Sequence, residues 1–204
     1  MSVAKLNVNE LTGLSSITER VGRKRVYYDI LSGNEKIVFI KSGSEKSARG
    51  YKNKYLVMAN GLRERLGATV ICSSNPDADH YDVDERVIRR VAAERGFEDF
   101  ETYFIGTSDG GYHNLLLSKR FHSTVKLIGI NSSYIGTSEL KELLTSMPAV
   151  SKIMVYGTLD DDFDEVVPAI KEIENENLTL KLIDGADHDF NGMLDEFIAI
   201  ADMI

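Results

Sequence analysis

The chain has 204 residues, 43% hydrophobic and 27% charged, close to average soluble composition, which argues against a disordered tail or a membrane-spanning protein. Lysine and arginine number 24 against 32 acidic residues, a net charge of −8 that no Lys/Arg cluster offsets locally, so a nucleic-acid-binding surface is disfavoured. The single cysteine, Cys72, excludes an internal disulfide, and the start Met1–Leu6 lacks the apolar core of a signal peptide, so a cytoplasmic single domain over 1–204 is expected.

Strand-like runs fall at 17–21, 25–31, 36–41, 69–72, 103–105, 126–130, 152–156 and 179–183. The first two alternate and flank the glycine-containing turn Val21-Gly22-Arg23-Lys24-Arg25, which predicts an antiparallel hairpin at one edge. Most of the others are short, β-branched and apolar on both parities, the pattern of strands covered on both faces of a parallel sheet. Helical stretches lie near 51–66, 82–96, 109–121, 138–146, 163–176 and 189–203. Val83, Val87, Ile88, Val91 and Ala92 share one helical face, as do Phe190, Leu194, Phe197, Ile198 and Ala201. Asp82 followed by Glu85 reads as a capping box. Alternation of strand and helix from residue 36 onward implies right-handed crossovers, a three-layer α/β fold, and ligands at the carboxyl ends of the strands.

The fifth strand runs into Gly106-Thr107-Ser108-Asp109-Gly110, a G-x-S-x-G pentapeptide between strand and helix. A sharp turn there forces the serine into a strained backbone conformation, with small residues required two before and two after it. Such a turn lifts the Ser108 hydroxyl clear of the sheet at a helix start, where free N–H groups can stabilise an oxyanion. A serine needs a histidine to take its proton and a carboxylate to orient that histidine. Of His80, His113, His122 and His188, only His188 follows a predicted strand in a loop at the right end of the sheet. Asp160 closes Gly157-Thr158-Leu159-Asp160 after the seventh strand, with Asp161 and Asp162 as substitutes.

With this motif and the chain order Ser108, Asp160, His188, the sequence resembles the α/β-hydrolase superfamily over nearly its whole length. The resemblance implies a mostly parallel eight-stranded sheet with an N-terminal hairpin and about six helices. It also implies Ser108 as nucleophile, His188 as general base and acid, and Asp160 as orienting carboxylate. The oxyanion hole would use the N–H of Asp109 and one after the third strand, at Ser44. Two departures stand out: Ser42-Gly43 replaces the family's frequent His-Gly, and too few residues separate the sixth and seventh strands for a lid, leaving a short helix near 138–146 and a loop around Tyr134 to Thr137.

Other groups have plainer readings. The acidic run from Asp160 to Glu165 fails a calcium-loop pattern, with Glu165 where glycine and Lys171 where glutamate is needed. His80, Asp77 and Asp79 lack zinc-ligand spacing, so no metal or cofactor is implied. His113 and His122 read as packing or surface residues, Cys72 as a small buried residue, and His80 as a substrate contact on the active edge or an ordinary loop residue. Lys46, Arg49, Lys52 and Lys54 read as a solvated face or as recognition of an anionic substrate group. The apolar end 197–204 either buries against the sheet or presents a face to a partner, which leaves oligomeric state open.

These features predict a serine hydrolase that cleaves a small acyl ester or thioester through an acyl-enzyme, with no nucleic-acid or membrane partner. The alternatives are a hydrolase fold kept as a ligand-binding or interaction module, and an acyltransferase using the same serine.

Overall fold

A computed structural model describes residues 8, 11–44, 47–76, 80–132 and 137–204. Eight strands form one sheet: β1 (Leu14–Val21), β2 (Lys24–Leu31), β3 (Asn34–Lys41), β4 (Ala68–Ser73), β5 (Glu101–Thr107), β6 (Thr124–Ile130), β7 (Ser151–Gly157) and β8 (Leu178–Ile183). Their order is β1-β2-β4-β3-β5-β6-β7-β8. β2 is antiparallel to both β1 and β4, and all remaining pairings are parallel. The helices are α1 (Lys54–Leu66), α2 (Tyr81–Glu94), α3 (Asp109–Ser118), α4 (Thr137–Thr145), α5 (Phe163–Lys171) and α6 (Leu194–Ala199). The expected hairpin and α/β layering are therefore present.

The apolar runs on both parities have a direct cause. Ile37 and Phe39 of β3 enter a core shared with residues of α2, α3, α4 and α5, whereas Val38 and Ile40 enter a second core with α1 and α6. Each fully buried Val, Ile, Leu or Phe contributes about 1.5–3 kcal/mol relative to exposure, so both faces of the central strands hold the layers together. The predicted stripe of α2 is buried throughout, from Val83 to Ala92. Cys72 is likewise buried. The C-terminal segment packs into the second core through Phe197, Ile200 and Ala201, with Met203 and Ile204 against it.

Three local expectations are corrected. α2 begins at Tyr81 with His80 at its N-cap and no side-chain cap, so Asp82 and Glu85 form no capping box. Both carboxylates instead face Arg120, which outcompetes backbone N–H groups as a charged donor. The closing helix is shorter than expected: Phe190 lies before it with φ 57°, and a 3₁₀ turn over Ile200–Met203 follows it. α5 ends at Lys171. Tyr134 to Gly136 lie outside the described residues. Among the described residues no helix is long and apolar enough to cross a membrane.

Candidate active site

The chemistry-bearing residues gather where the parallel strands end. Ser108 joins β5 to α3 with φ 52° and ψ −127°, a left-handed conformation that ordinary residues avoid. The crowding predicted around it is real. A Cβ on Gly106 would lie 2.2 Å from the carbonyl oxygen of Gly110, and one on Gly110 would lie 2.3 Å from that of Ser42. The strained turn is held from both sides, with Ser108 N–H donating to Ile130 O at 2.8 Å and Asn114 Nδ2 donating to Ile105 O at 2.9 Å.

His188 reaches this serine from the loop after β8. Its Nε2 lies 3.1 Å from Ser108 Oγ, and its Nδ1 lies 2.7 Å from Asp160 Oδ2. Asp160 is buried after β7, and its other oxygen accepts the N–H of Asp162 at 2.9 Å. Asp161 is exposed and Asp162 occupies the N-cap position of α5 without a side-chain cap, so of the three acids it is Asp160 that meets His188. The hydrogen bond that Asp160 accepts from His188, only partly opposed by burial, raises the pKa of His188 above its ordinary 6.5. The side chain stays about one-third exposed, so solvent reaches the Ser–His pair.

Asn131, at the end of β6, is a positioning residue that sequence reasoning missed. It is buried with φ 45°, and its amide donates to the carbonyls of Asp187 and His188 at 3.2 and 3.0 Å. Its own oxygen accepts Gly157 N–H at 3.0 Å, so one side chain ties the histidine loop to the end of β7. The only sequence signal is an amide directly after an apolar strand. Asp187 completes the loop by accepting N–H groups from Asp189 and Asn191, which holds its carboxyl below the ordinary range.

Donors for an oxyanion lie beside Ser108. Asp109 opens α3, where its N–H has no intrahelical acceptor. In the loop after β3, Ser42 N–H is occupied by Ser73 O at 3.0 Å. The N–H groups of Gly43 and Ser44 have no acceptor among the described residues. Gly43 packs on Ser108, since a Cβ there would sit 3.2 Å from Ser108 Cβ. Ser44 Oγ donates to Asp109 Oδ2 at 2.6 Å, fastening this loop to the elbow.

The remaining predicted residues do not join the site as expected. His80 is buried, so the substrate-contact reading is corrected. It belongs to a cluster under the ends of β3 and β4. There Lys41 Nζ meets Asp84 Oδ2 at 2.8 Å, Ser73 Oγ at 2.9 Å and His80 Nε2 at 2.5 Å. Tyr28 OH donates to Asp84 Oδ1 at 2.5 Å, and His113, stacked between His80 and Tyr81, brings Nε2 to 2.7 Å from Asp84 Oδ2. Burial lowers the pKa of His113 to about 4 and lowers that of Lys41. Burial would raise Asp84, but Lys41 and the two histidines outweigh it and hold its carboxyl well below the usual range. His80, Asp84 and His113 offer ligand atoms within 4.8 Å of one another, yet the Lys41 ammonium already sits among them.

Arg49 grips Asp29 with Nε at 2.7 Å and Nη2 at 3.2 Å, and Lys54 is buried over the rings of Tyr55 and Phe197. The anion-recognition reading of that cluster is therefore corrected for both, because each cation already has a partner within the fold. Lys52 is exposed, and Lys46, Asp77 and Asp79 lie outside the described residues.

No protein-family profile matches the chain, and no curated protein sequence matches it. Similarity emerges in solved structures. An alpha-beta serine hydrolase homologue from Coxiella burnetii shares 16% identity with a TM-score of 0.65, covering 92% of this chain and 95% of its own. A dienelactone hydrolase from Anabaena variabilis shares 16% with a TM-score of 0.67, covering 93% and 95%. A serine hydrolase without a lid from Xanthomonas campestris shares 18% with a TM-score of 0.61, covering 94% and 93%. Strand order, the elbow after β5 and these neighbours together give this chain the α/β-hydrolase fold.

Proposed function

We propose that the protein is a serine hydrolase that cleaves a carboxylic ester or thioester through an acyl-enzyme. The observation that carries this reading is the continuous line from Asp160 Oδ2 through His188 to Ser108 Oγ, ending on a strained elbow. Ser108 Oγ attacks the acyl carbon while His188 Nε2 accepts its proton. The oxyanion rests on the N–H of Asp109 and on one from the Gly43–Ser44 loop. His188 then protonates the departing alcohol or thiol, leaving the acyl group on Ser108. Water attacks the acyl-enzyme with His188 again as base, releasing the acid and restoring the serine.

His188 works as a base only when neutral. With its pKa raised by Asp160, turnover is expected to climb with pH through a value above 6.5.

Labelling of wild type and Ser108→Ala with a fluorophosphonate, read by intact mass, tests nucleophile activation without knowledge of the substrate. One adduct on wild type and none on the variant is expected. Folded wild type that takes no label would return the binding-module reading, and hydrolysis persisting in Ser108→Ala would remove Ser108 from the mechanism. Added alcohols or amines, with product analysis, separate hydrolysis from acyl transfer.

A further inference from the structure

The β1–β2 hairpin extends beyond the site edge of the sheet. Tyr28 of β2 pairs with Ser73, the last residue of β4, so residues 24–27 continue past the carboxyl end of that strand. Ser74 N–H donating to Tyr27 O, and Tyr27 N–H donating to Ser74 Oγ, both at 2.9 Å, fix the overhang. At about 3.3 Å per residue, the tip stands roughly 13 Å beyond Tyr28.

This tip carries Arg20, Arg23, Lys24 and Arg25, a local basic cluster that corrects the reading that none offsets the net charge of −8. Arg20 and Arg25 are paired directly across the two strands, an arrangement that destabilises a hairpin. Arginines elsewhere are engaged: Arg49, Arg65, Arg86, Arg89, Arg90 and Arg120 hold carboxylates, while Arg63 and Arg95 hold carbonyl or side-chain oxygens. Arg20, Arg23 and Arg25 are exposed and have no side-chain partner among the described residues. A local rule broken without an internal compensation is where a ligand is expected.

Arg23, Lys24 and Arg25 line a cleft of about 550 Å³, together with Tyr27, Ser44, Asn75 and Pro76. That volume lies within the range of small-molecule sites. Ser44 connects the cleft to the proposed chemistry, because its Oγ holds Asp109, the residue after the nucleophile. Tyr27 offers a 42% exposed ring for the uncharged part of a ligand.

We infer that Arg23 and Arg25 form an anion subsite in the cleft that reaches Ser44, so that the preferred substrate is an ester or thioester bearing a carboxylate or phosphate group. The inference deepens the serine-hydrolase reading and rests on it for the word substrate; binding of the anion does not.

The test compares wild type with Arg23→Gln/Arg25→Gln on four probes. Monomethyl glutarate against methyl butyrate reads an acyl-side carboxylate, and butyryl-coenzyme A against butyryl-N-acetylcysteamine reads a leaving-group phosphate. For one anionic member, kcat/KM of wild type is expected to exceed that of its neutral counterpart by about tenfold or more, with the advantage lost in the variant and the neutral rate within about twofold. The advantage should also shrink as salt rises. No wild-type preference, or an equal fall on charged and neutral probes, overturns the inference. Binding of the same probes to Ser108→Ala by calorimetry separates the two readings. Anion binding lost in Ser108→Ala/Arg23→Gln/Arg25→Gln, in a protein without turnover or label, keeps the subsite and removes the hydrolase. Turnover of neutral esters without anion preference or binding keeps the hydrolase and removes the subsite.

Discussion

Asp160 with His188, and Asp84 with His80 and His113, are two carboxylate–histidine groupings near the same edge of one sheet. In the first, the carboxylate is buried, the imidazole is partly open to solvent, and the hydrogen bond to Asp160 raises the histidine pKa. In the second, everything is buried and Lys41 takes the carboxylate, so burial dominates and His113 falls to about 4. The residue types are nearly the same. What separates the two groupings is solvent access and whether a cation has already claimed the acid.

The largest effect expected from breaking this comparison is in turnover. Asp160→Asn should lower kcat by about 10³- to 10⁴-fold by misorienting His188, while thermal denaturation stays near wild type; a modest kcat loss would show that Asp160 does not orient the base. Asp84→Ala should act in the opposite way. It leaves the buried Lys41 ammonium without its counter-charge, a destabilisation of about 3–5 kcal/mol in urea unfolding. Replacing both, as Lys41→Met/Asp84→Leu, should recover much of that loss, and failure to recover would mean that other members of the cluster carry the energy.

The two histidines should also titrate with opposite signs. His113 has a folded pKa below its unfolded 6.5, so the unfolded chain binds the extra proton first. Stability should fall as pH drops from about 6.5 towards 4, on the order of 3 kcal/mol. His188 has a raised folded pKa, so its contribution is present below 6.5 and is lost as pH rises through the raised value. Unfolding measured across pH in wild type and His113→Gln checks this, because the variant should lose the acid-side slope while the activity profile keeps its alkaline rise.

A smaller effect is expected at Asn131, which bridges the two halves of the Asp160–His188 grouping. Asn131→Ala leaves the buried Gly157 N–H without its acceptor and the Asp187 and His188 carbonyls without their donor, and should cost about 1–3 kcal/mol of stability. Turnover should fall further than KM changes, since the substrate itself is not touched. Unchanged kcat would show that the loop holds His188 without the amide.

Local pattern along the chain was enough for the layers and for the line from Ser108 through His188 to Asp160. Apolar residues on both parities can be satisfied only by a sheet covered on both faces, and a serine flanked by Gly106 and Gly110 after a strand can be accommodated only by a tight elbow. The order of strand ends then carried Asp160 and His188 to the same edge. Tertiary structure alone decided which neighbouring charges meet. Lys41 ends an apolar strand and His113 lies on the elbow helix, and no local pattern announces that they converge on Asp84 from 43 and 29 positions away. Arg49 looked available until the fold set Asp29 against it, and the arginines of a modest turn gained meaning only when the hairpin overhung the cleft. Local periodicity records which face is buried, whereas an ion pair depends on distances between segments far apart in the chain.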